Sequence, residues 1–511
     1  MDERKISTGG GGMSAHENQN AKASRRIFML QIDSVSLSFI ENNFNDLPNL
    51  KSLFEKGQLV KTDSTSYSIT ASVWASFAST TDPGSHGQYF PLQWDPKTLS
   101  LHRAVQPGWG GQLDYEPFWY DLGREGYRCI VLDANETIER DDSPVLEIAN
   151  WSSQESAHAF SSDSQVLKEL RSKFGRRPIG KEVPVQKALG LSTKIRDELI
   201  KSVQMKCDAI MWLSQHQPWD LFIAGVYDLH RAGHNLWPLE WGHGSTVPEN
   251  ALLDVYKAFD EKLKDILQTI DPEETAIIVY CLHGMQENNT QNHFLPEIMK
   301  RLNARYLEQE LKHELAFPRP GVMSFLRNNV PAKLQYYLTI CLGERVQDWV
   351  VSREFLGSLN WSQTTAFALP AGDEGFIRLN LEGREKEGFL PNTAEAKTHF
   401  IEWLRERFFE IKVLNTGDTL VERFELSEDL FPGPRCETLP DIIVHWSPKY
   451  AVSEISSDAI GVIHKKLKTG RNGNHSAESF AVLFGDIPDD FSEHELRSIT
   501  DYGSFVRRLL T

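Results

Sequence analysis

The feature that most constrains this chain is a short apolar run, used repeatedly, that ends on a polar side chain. It occurs in RRIFMLQID (25–33), GYRCIVLDA (126–134), WDLFIAGVYD (219–228) and ETAIIVYCLHGM (274–285). Runs this short and this continuously apolar suit strands buried on both faces, as in a parallel sheet. Between them lie stretches with helical spacing: NLKSLFEKG (49–57), TASVWASFAST (70–80) and LLDVYKAFDEKLKDILQTI (252–270). The alternation predicts an α/β fold with a mostly parallel central sheet and helices on both faces. Ligands on such sheets sit at the carboxyl ends of the strands. That rule puts Asp33, Asp228 and His283 where a site belongs.

A length of 511 residues exceeds what one core of about 250–300 residues accommodates. The expected organisation is a polar, disordered tail over 1–24, a first part of the core over 25–297 that carries substrate-side insertions, a helical insertion over 298–360, and the second part of the core over 361–511. The insertion contains IMKRLNARYLEQELKHEL and LQYYLTICLGERVQDWVV, and strand-like texture returns in GFIRLNLEG (375–383), PDIIVHW (440–446) and SFAVLFGD (479–486). The formal charge of −17 argues against bulk binding to a nucleic-acid backbone, which needs a basic surface. Five scattered cysteines with no C-x-x-C pair fit a reducing compartment better than a disulfide framework. No apolar run reaches the ~18–20 residues of a membrane span, and the N-terminal stretch lacks the apolar core of a secretory signal. The expectation is a cytoplasmic protein with no membrane partner.

Chemistry-bearing side chains gather at a few places: Asp33, Thr70, the D-L-H-R-A-G-H stretch with Asp228, His230 and His234, then His283, and His475 in R-N-G-N-H-S. Histidine and carboxylate together are the donors of a zinc- or manganese-type divalent site. His230 and His234 are four apart, so one helical turn brings their rings together. An isolated histidine is more commonly structural. Several histidines and acids at strand ends of one sheet favour a metal. Thr70 stands where a helix begins, and a hydroxyl there can attack phosphorus or sulfur. On spacing alone, an N-cap threonine is the commoner reading.

Taken jointly, these residues resemble the alkaline phosphatase superfamily, and within it the type I phosphodiesterase/nucleotide pyrophosphatase branch. The segment S-I-T-A-S-V-W-A-S-F-A-S-T-T-D-P-G-S-H-G (68–87) is similar to that branch's nucleophile segment, with Thr70 four residues before Trp74 and a P-G-x-H-G turn after it. Asp33 matches the first metal aspartate, and His475 in G-N-H the late metal histidine. G-F-I-R-L-N-L-E-G-R-E-K-E-G (375–388) is also similar to a superfamily segment. Two positions depart from the pattern. His230 replaces the aspartate of D-x-x-x-H, and Leu282 replaces the aspartate of D-H-G before His283. A bacterial subgroup looks similar at both places. The sulfatase branch is disfavoured because no cysteine lies in a C-x-P-x-R context.

The resemblance implies a metal-dependent phosphoesterase acting on a small phosphorylated substrate, a phosphodiester or pyrophosphate above all, through a phospho-threonine on Thr70. It implies one or two divalent cations per chain, zinc first and manganese as the alternative. Asp33 and His283 would hold the one beside Thr70, and His230, His234 and His475 the other. Asp228 is expected to compensate for Leu282. Two other readings share these residues: a non-catalytic member that binds a phosphorylated ligand, and a phosphotransferase using the same threonine. Trp109, Phe118, Trp119 and Tyr120 read either as a stacking surface for a ring or as aromatics packing on the core. Arg176, Arg177 and Lys181 are candidates to meet a phosphate.

Overall fold

The computed structural model describes residues 25–103, 115–134, 143–152, 159–175, 191–238, 247–307, 351–353, 355–357, 359–467 and 471–511. The tail over 1–24, Trp109, the Arg176–Arg177–Lys181 group and most of the expected helical insertion lie outside them. The insertion's first residues fall within a described helix, Leu295–Tyr306.

The strands that matter for the site are β1 (Arg26–Ile32), β2 (Gln58–Lys61), β3 (Cys129–Leu132), β4 (Leu146–Ala149), β5 (Phe160–Ser161), β6 (Leu221–Val226), β7 (Thr275–Cys281), β8 (Gly284–Glu287), β9 (Ala366–Leu369), β10 (Gly375–Leu379), β11 (Val421–Leu426), β12 (Ile442–Trp446), β13 (Gly473–Ser476) and β14 (Phe480–Gly485). The helices are α1 (Val73–Ser79), α2 (Ser192–His216), α3 (Asp228–Leu236), α4 (Ala251–Thr269) and α5 (Tyr502–Leu510).

The central sheet has eight strands in the order β2-β14-β7-β1-β6-β3-β4-β5. Strands β7, β1, β6, β3 and β4 run parallel. Only β14 and β5 oppose their neighbours, so the sheet is mostly parallel, as the apolar runs predict. Successive side chains of a strand point to opposite faces, and β1 shows why both faces are covered. Phe28, Leu30 and Ile32 pack with α2 and α4. Ile27 and Met29 belong to a second apolar cluster containing Val73 and Phe77 of α1 and Phe505 of α5. A strand with a core on each side is apolar along nearly all its length; the buried exception in β1, Gln31 near its carboxyl end, is hydrogen-bonded to Asp33.

The second part of the chain adds a four-stranded antiparallel sheet, β9-β10-β12-β11, with its own core. It then returns β13 to pair with β8, and β14 to the central sheet. The stretch 274–285, expected as one strand, is two: β7 ends at Cys281, and β8 belongs to a separate two-stranded sheet. His283 occupies the turn between them. Likewise Asp228 does not end a strand: β6 stops at Val226, and Asp228 opens α3. Phe118, Trp119 and Tyr120 start a helix and are buried in the core, so they offer no stacking surface. Among the described residues, no helix is long and apolar enough to cross a membrane.

Candidate active site

Three adjacent parallel strands, β7, β1 and β6, deliver their carboxyl ends to one point. Asp33 and Ser34 follow β1, His230 and His234 lie on the helix after β6, and His283 follows β7. His475 arrives from the far end of the chain on β13, opposite Met285 of β8. That strand approaches α3 closely enough for the Gly473 carbonyl to accept from His234 Nδ1 at 2.9 Å. Only glycine fits there, since a Cβ on Gly473 would stand 2.4 Å from the Gly233 carbonyl oxygen.

The polar atoms converge tightly. Asp33 Oδ2 is 2.5 Å from His230 Nδ1, and Oδ1 accepts from Gln31 Nε2 at 2.9 Å. His230 Nε2 lies 2.8 Å from His234 Nε2. Ser34 Oγ sits among three rings, 2.7 Å from His283 Nε2, 3.2 Å from His230 Nδ1 and 3.4 Å from His475 Nδ1. Two groups of ligand atoms each lie within 4.8 Å of one another: Asp33, His230 and His283, and His230, His234 and His475. His230 belongs to both. The two expected ligand groups are thus brought together, but they share a histidine.

The donor chemistry fits a divalent cation. Burial pushes the His283 imidazole down to about 4, and it pushes His234 and His475 well below their usual value. Rings kept neutral retain a lone pair for a metal. Because His234 donates from Nδ1 to a backbone carbonyl, its Nε2, which faces His230 Nε2, carries the lone pair, the arrangement that orients metal-bound histidines. His283 Nδ1 is buried without a hydrogen-bond partner. With four imidazoles to one carboxylate, the set is softer and less negative than an oxygen cradle.

Thr70 opens the short 3-10 turn Thr70–Ser72 that leads into α1, and its hydroxyl caps nothing. It donates to Glu374 Oε1 at 2.5 Å, and the Thr70 backbone N–H donates to the same oxygen at 3.1 Å. Ser66 Oγ lies 3.4 Å from the Thr70 hydroxyl and donates to the Ser476 carbonyl, which ties the turn to the strand of His475. Trp74, one turn further on, lies parallel to the His230 ring at 6.3 Å and meets the His283 ring edge-on at 5.1 Å. The threonine segment therefore packs directly against the histidines.

One expectation needs correction. Asp228 is buried on the α2 side of α3, where its electrostatic neighbours are Ser202, Lys206 and Arg231, and it joins neither ligand group. Lys206 is buried there and paired with Asp133, and burial raises the Asp228 carboxyl against the smaller lowering effects of Ser202, Lys206 and Arg231. Leu282 is fully buried in the apolar cluster of α1 and α5, so its side chain leaves the site altogether.

Sequence reasoning missed Ser34, Asp373 and Glu374. Ser34 carries a left-handed φ of 51°, a conformation rare for residues with a Cβ. The two acids lie just before β10. The second oxygen of Glu374 is buried without a hydrogen-bond partner, and the buried Asp373 carboxylate faces the Thr70 side chain and the His475 backbone. Burial raises the Glu374 carboxyl to about 7, against the lowering effect of the Thr70 hydrogen bond, and burial with the neighbouring charge of Glu374 raises Asp373 well above its usual value, against Thr70 and the His475 backbone. The available signal was the pair of acids flanked by glycines in G-D-E-G (372–375).

The sequence profile of the family described as type I phosphodiesterase / nucleotide pyrophosphatase matches residues 27–339, more than half of the chain. The chain belongs to that family. It is accordingly a phosphoric ester hydrolase of the phosphoesterase/pyrophosphatase kind, in a family that is typically metal-dependent. No curated protein matches the sequence. Among solved structures, the fold is similar to phosphonoacetate hydrolase from Sinorhizobium meliloti 1021. The complex with phosphonoacetate gives a TM-score of 0.53 at 12% identity, and the complex with phosphonoformate 0.52 at 13%, each covering 95% of this chain and 96% of the other. Murine ectonucleotide pyrophosphatase/phosphodiesterase 5 gives 0.48 at 11% identity, with 95% of each chain covered. At such identities the likeness to phosphonoacetate hydrolase establishes the alkaline phosphatase-like fold.

Proposed function

We propose that this protein hydrolyses phosphate esters, with phosphodiesters or pyrophosphates preferred, through a phospho-threonine on Thr70. The observation that carries the reading is the buried Thr70 hydroxyl packed, through Trp74, against two three-residue ligand groups that share His230. Asp33, His230 and His283 would hold one divalent cation, and His230, His234 and His475 another. Zinc suits these nitrogens best, with manganese second. A cation there supplies positive charge to the phosphoryl oxygens as negative charge develops on them.

The chain's own residues do the rest. The Gly473 carbonyl fixes the ring of His234. The Thr70 oxygen attacks phosphorus and the leaving alcohol departs; water then cleaves the phospho-threonine. A phosphorylated small molecule is the partner implied. A second reading, a member that binds such a ligand without turnover, draws on Leu282, which leaves the Asp33/His283 group a single carboxylate.

The test is a panel of nitrophenyl phosphodiester, phosphomonoester and sulfate, assayed with zinc- and with manganese-loaded protein. The diester should be cleaved fastest and the sulfate slowest. Faster cleavage of the sulfate than of every phosphate ester would overturn the assignment. Binding of phosphate esters with no turnover of any would favour the second reading.

A further inference from the structure

We propose that Glu374 is the catalytic base for Thr70: it orients the hydroxyl and takes its proton as the oxygen attacks phosphorus. The inference rests on the phosphoesterase reading above and goes beyond it, because that reading leaves the proton's destination open.

The geometry singles out Glu374. Its Oε1 accepts both the hydroxyl of Thr70, at 2.5 Å, and the Thr70 backbone N–H, at 3.1 Å. One oxygen thus fixes both the rotamer of the hydroxyl and the turn that carries it. The other groups around the hydroxyl are the Ser66 carbonyl and hydroxyl, each at 3.4 Å, neither a useful proton acceptor, and the neighbouring carboxylate of Asp373. Asp33 is engaged with Gln31 and His230. Asp228 lies among α2 side chains and Leu282 in the apolar core. Of the two carboxylates beside Thr70, Glu374 and Asp373, Glu374 is the one whose oxygen accepts from both the hydroxyl and the backbone N–H of Thr70. Its Oε2 is buried with no hydrogen-bond partner. A buried charge so poorly compensated gains by accepting a proton. A base must stand within hydrogen-bond reach of the proton's parent atom, and at 2.5 Å this one does so before substrate arrives.

The step balances. The Thr70 O–H bond breaks and its proton passes to Glu374 Oε1, while the electron pair forms the Oγ–P bond. The bond from phosphorus to the leaving oxygen breaks, and the alkoxide takes a proton from water, leaving hydroxide. Hydroxide attacks the phospho-threonine, the Oγ–P bond breaks, and Glu374 returns its proton to Thr70. The sum is ester plus water giving alcohol plus phosphate.

The experiment compares wild type with Glu374→Gln, Glu374→Ala and Thr70→Ala in the metal-loaded protein. Glutamine keeps an acceptor oxygen for both hydrogen bonds but cannot serve as a base. General-base catalysis contributes about 10²–10⁴-fold, so E374Q should lose about a hundredfold or more in kcat while KM stays within about threefold. Its metal content by mass spectrometry should equal that of wild type, which separates a base from a metal ligand. E374A should regain activity when formate is added. E374Q with a kcat within about threefold of wild type would overturn the proposal, as would loss of metal from E374Q. Should E374Q fail to fold by circular dichroism, E374A decides: rescue by formate supports the base, and its absence overturns it. An inactive wild type, or a fully active Thr70→Ala, would instead defeat the phosphoesterase reading on which this one rests.

Discussion

At the scale of single residues, His230 is the pivot, because it is the one side chain common to both ligand groups. Removing it should empty both. His230→Ala is expected to retain almost no divalent metal by mass spectrometry, whereas His234→Ala should keep the cation of Asp33 and His283. Equal metal contents in the two variants would mean that the groups do not share a ligand. Thr70, Asp33, His230, His234, His283 and His475 could be named from the sequence because each sits in a short motif with chemistry of its own. Ser34 could not, since a serine beside an aspartate looks ordinary until the left-handed turn aims it at three imidazoles. Asp373 and Glu374 could not either, because some three hundred residues separate Glu374 from Thr70. Asp228 misled for a different reason: its nearness to His230 in sequence said nothing about Lys206 on a neighbouring helix.

At the scale of elements, the P-G-S-H-G turn after α1 shows a motif histidine with a structural task. The Gln88 backbone N–H donates to His86 Nδ1 at 3.0 Å, so the proton sits on Nε2, which lies 3.0 Å from Ser76 Oγ on α1. His86 thereby ties the turn back onto the nucleophile helix as a neutral ring. Burial, aided by Arg435, lowers it from 6.5 to about 4. Between those values the unfolded chain binds a proton that the folded chain refuses. The stabilisation is complete above pH 6.5 and is lost as the pH falls toward 4. The pKa difference corresponds to at most about 3 kcal/mol. Denaturant midpoints measured from pH 7.5 to 4.5 should fall more steeply for wild type than for His86→Gln. Parallel curves would show that this ring does not titrate as its surroundings demand. Elements of this kind were legible where one period ran unbroken, as in β1 and α4. The split between β7 and β8 was not, because apolar text runs through Leu282 while hydrogen bonding passes to another sheet.

At the scale of the whole molecule, the site is closed by the end of the chain rather than by its middle. The parallel sheet was readable because every buried strand must be apolar on both faces. How the second part of the chain rejoins it was not, because β14 is inserted between β7 and β2 by long-range pairing that no local pattern records. The family match ends at residue 339, yet residues beyond it supply His475, Glu374, β14 and α5. Phe480 and Val482 of β14 enter one face's core, and Ala481 and Leu483 the other. Phe505, Val506, Leu509 and Leu510 of α5 are buried in the second of these. Each of these Phe, Val and Leu side chains contributes about 1.5–3 kcal/mol when fully buried, against a total stability of roughly 5–15 kcal/mol for a typical protein. A chain cut at residue 360 would expose the flank of β7, strand β2 without its partner, and the apolar side of α1. It would also lack one ligand of the group centred on His230 and His234. It should therefore neither melt cooperatively nor bind the full complement of metal. Expressing residues 25–360 beside the full chain, with circular dichroism and metal analysis of both, decides the point. A cooperative transition with undiminished metal in the shorter chain would show that the folding unit is complete without residues 361–511.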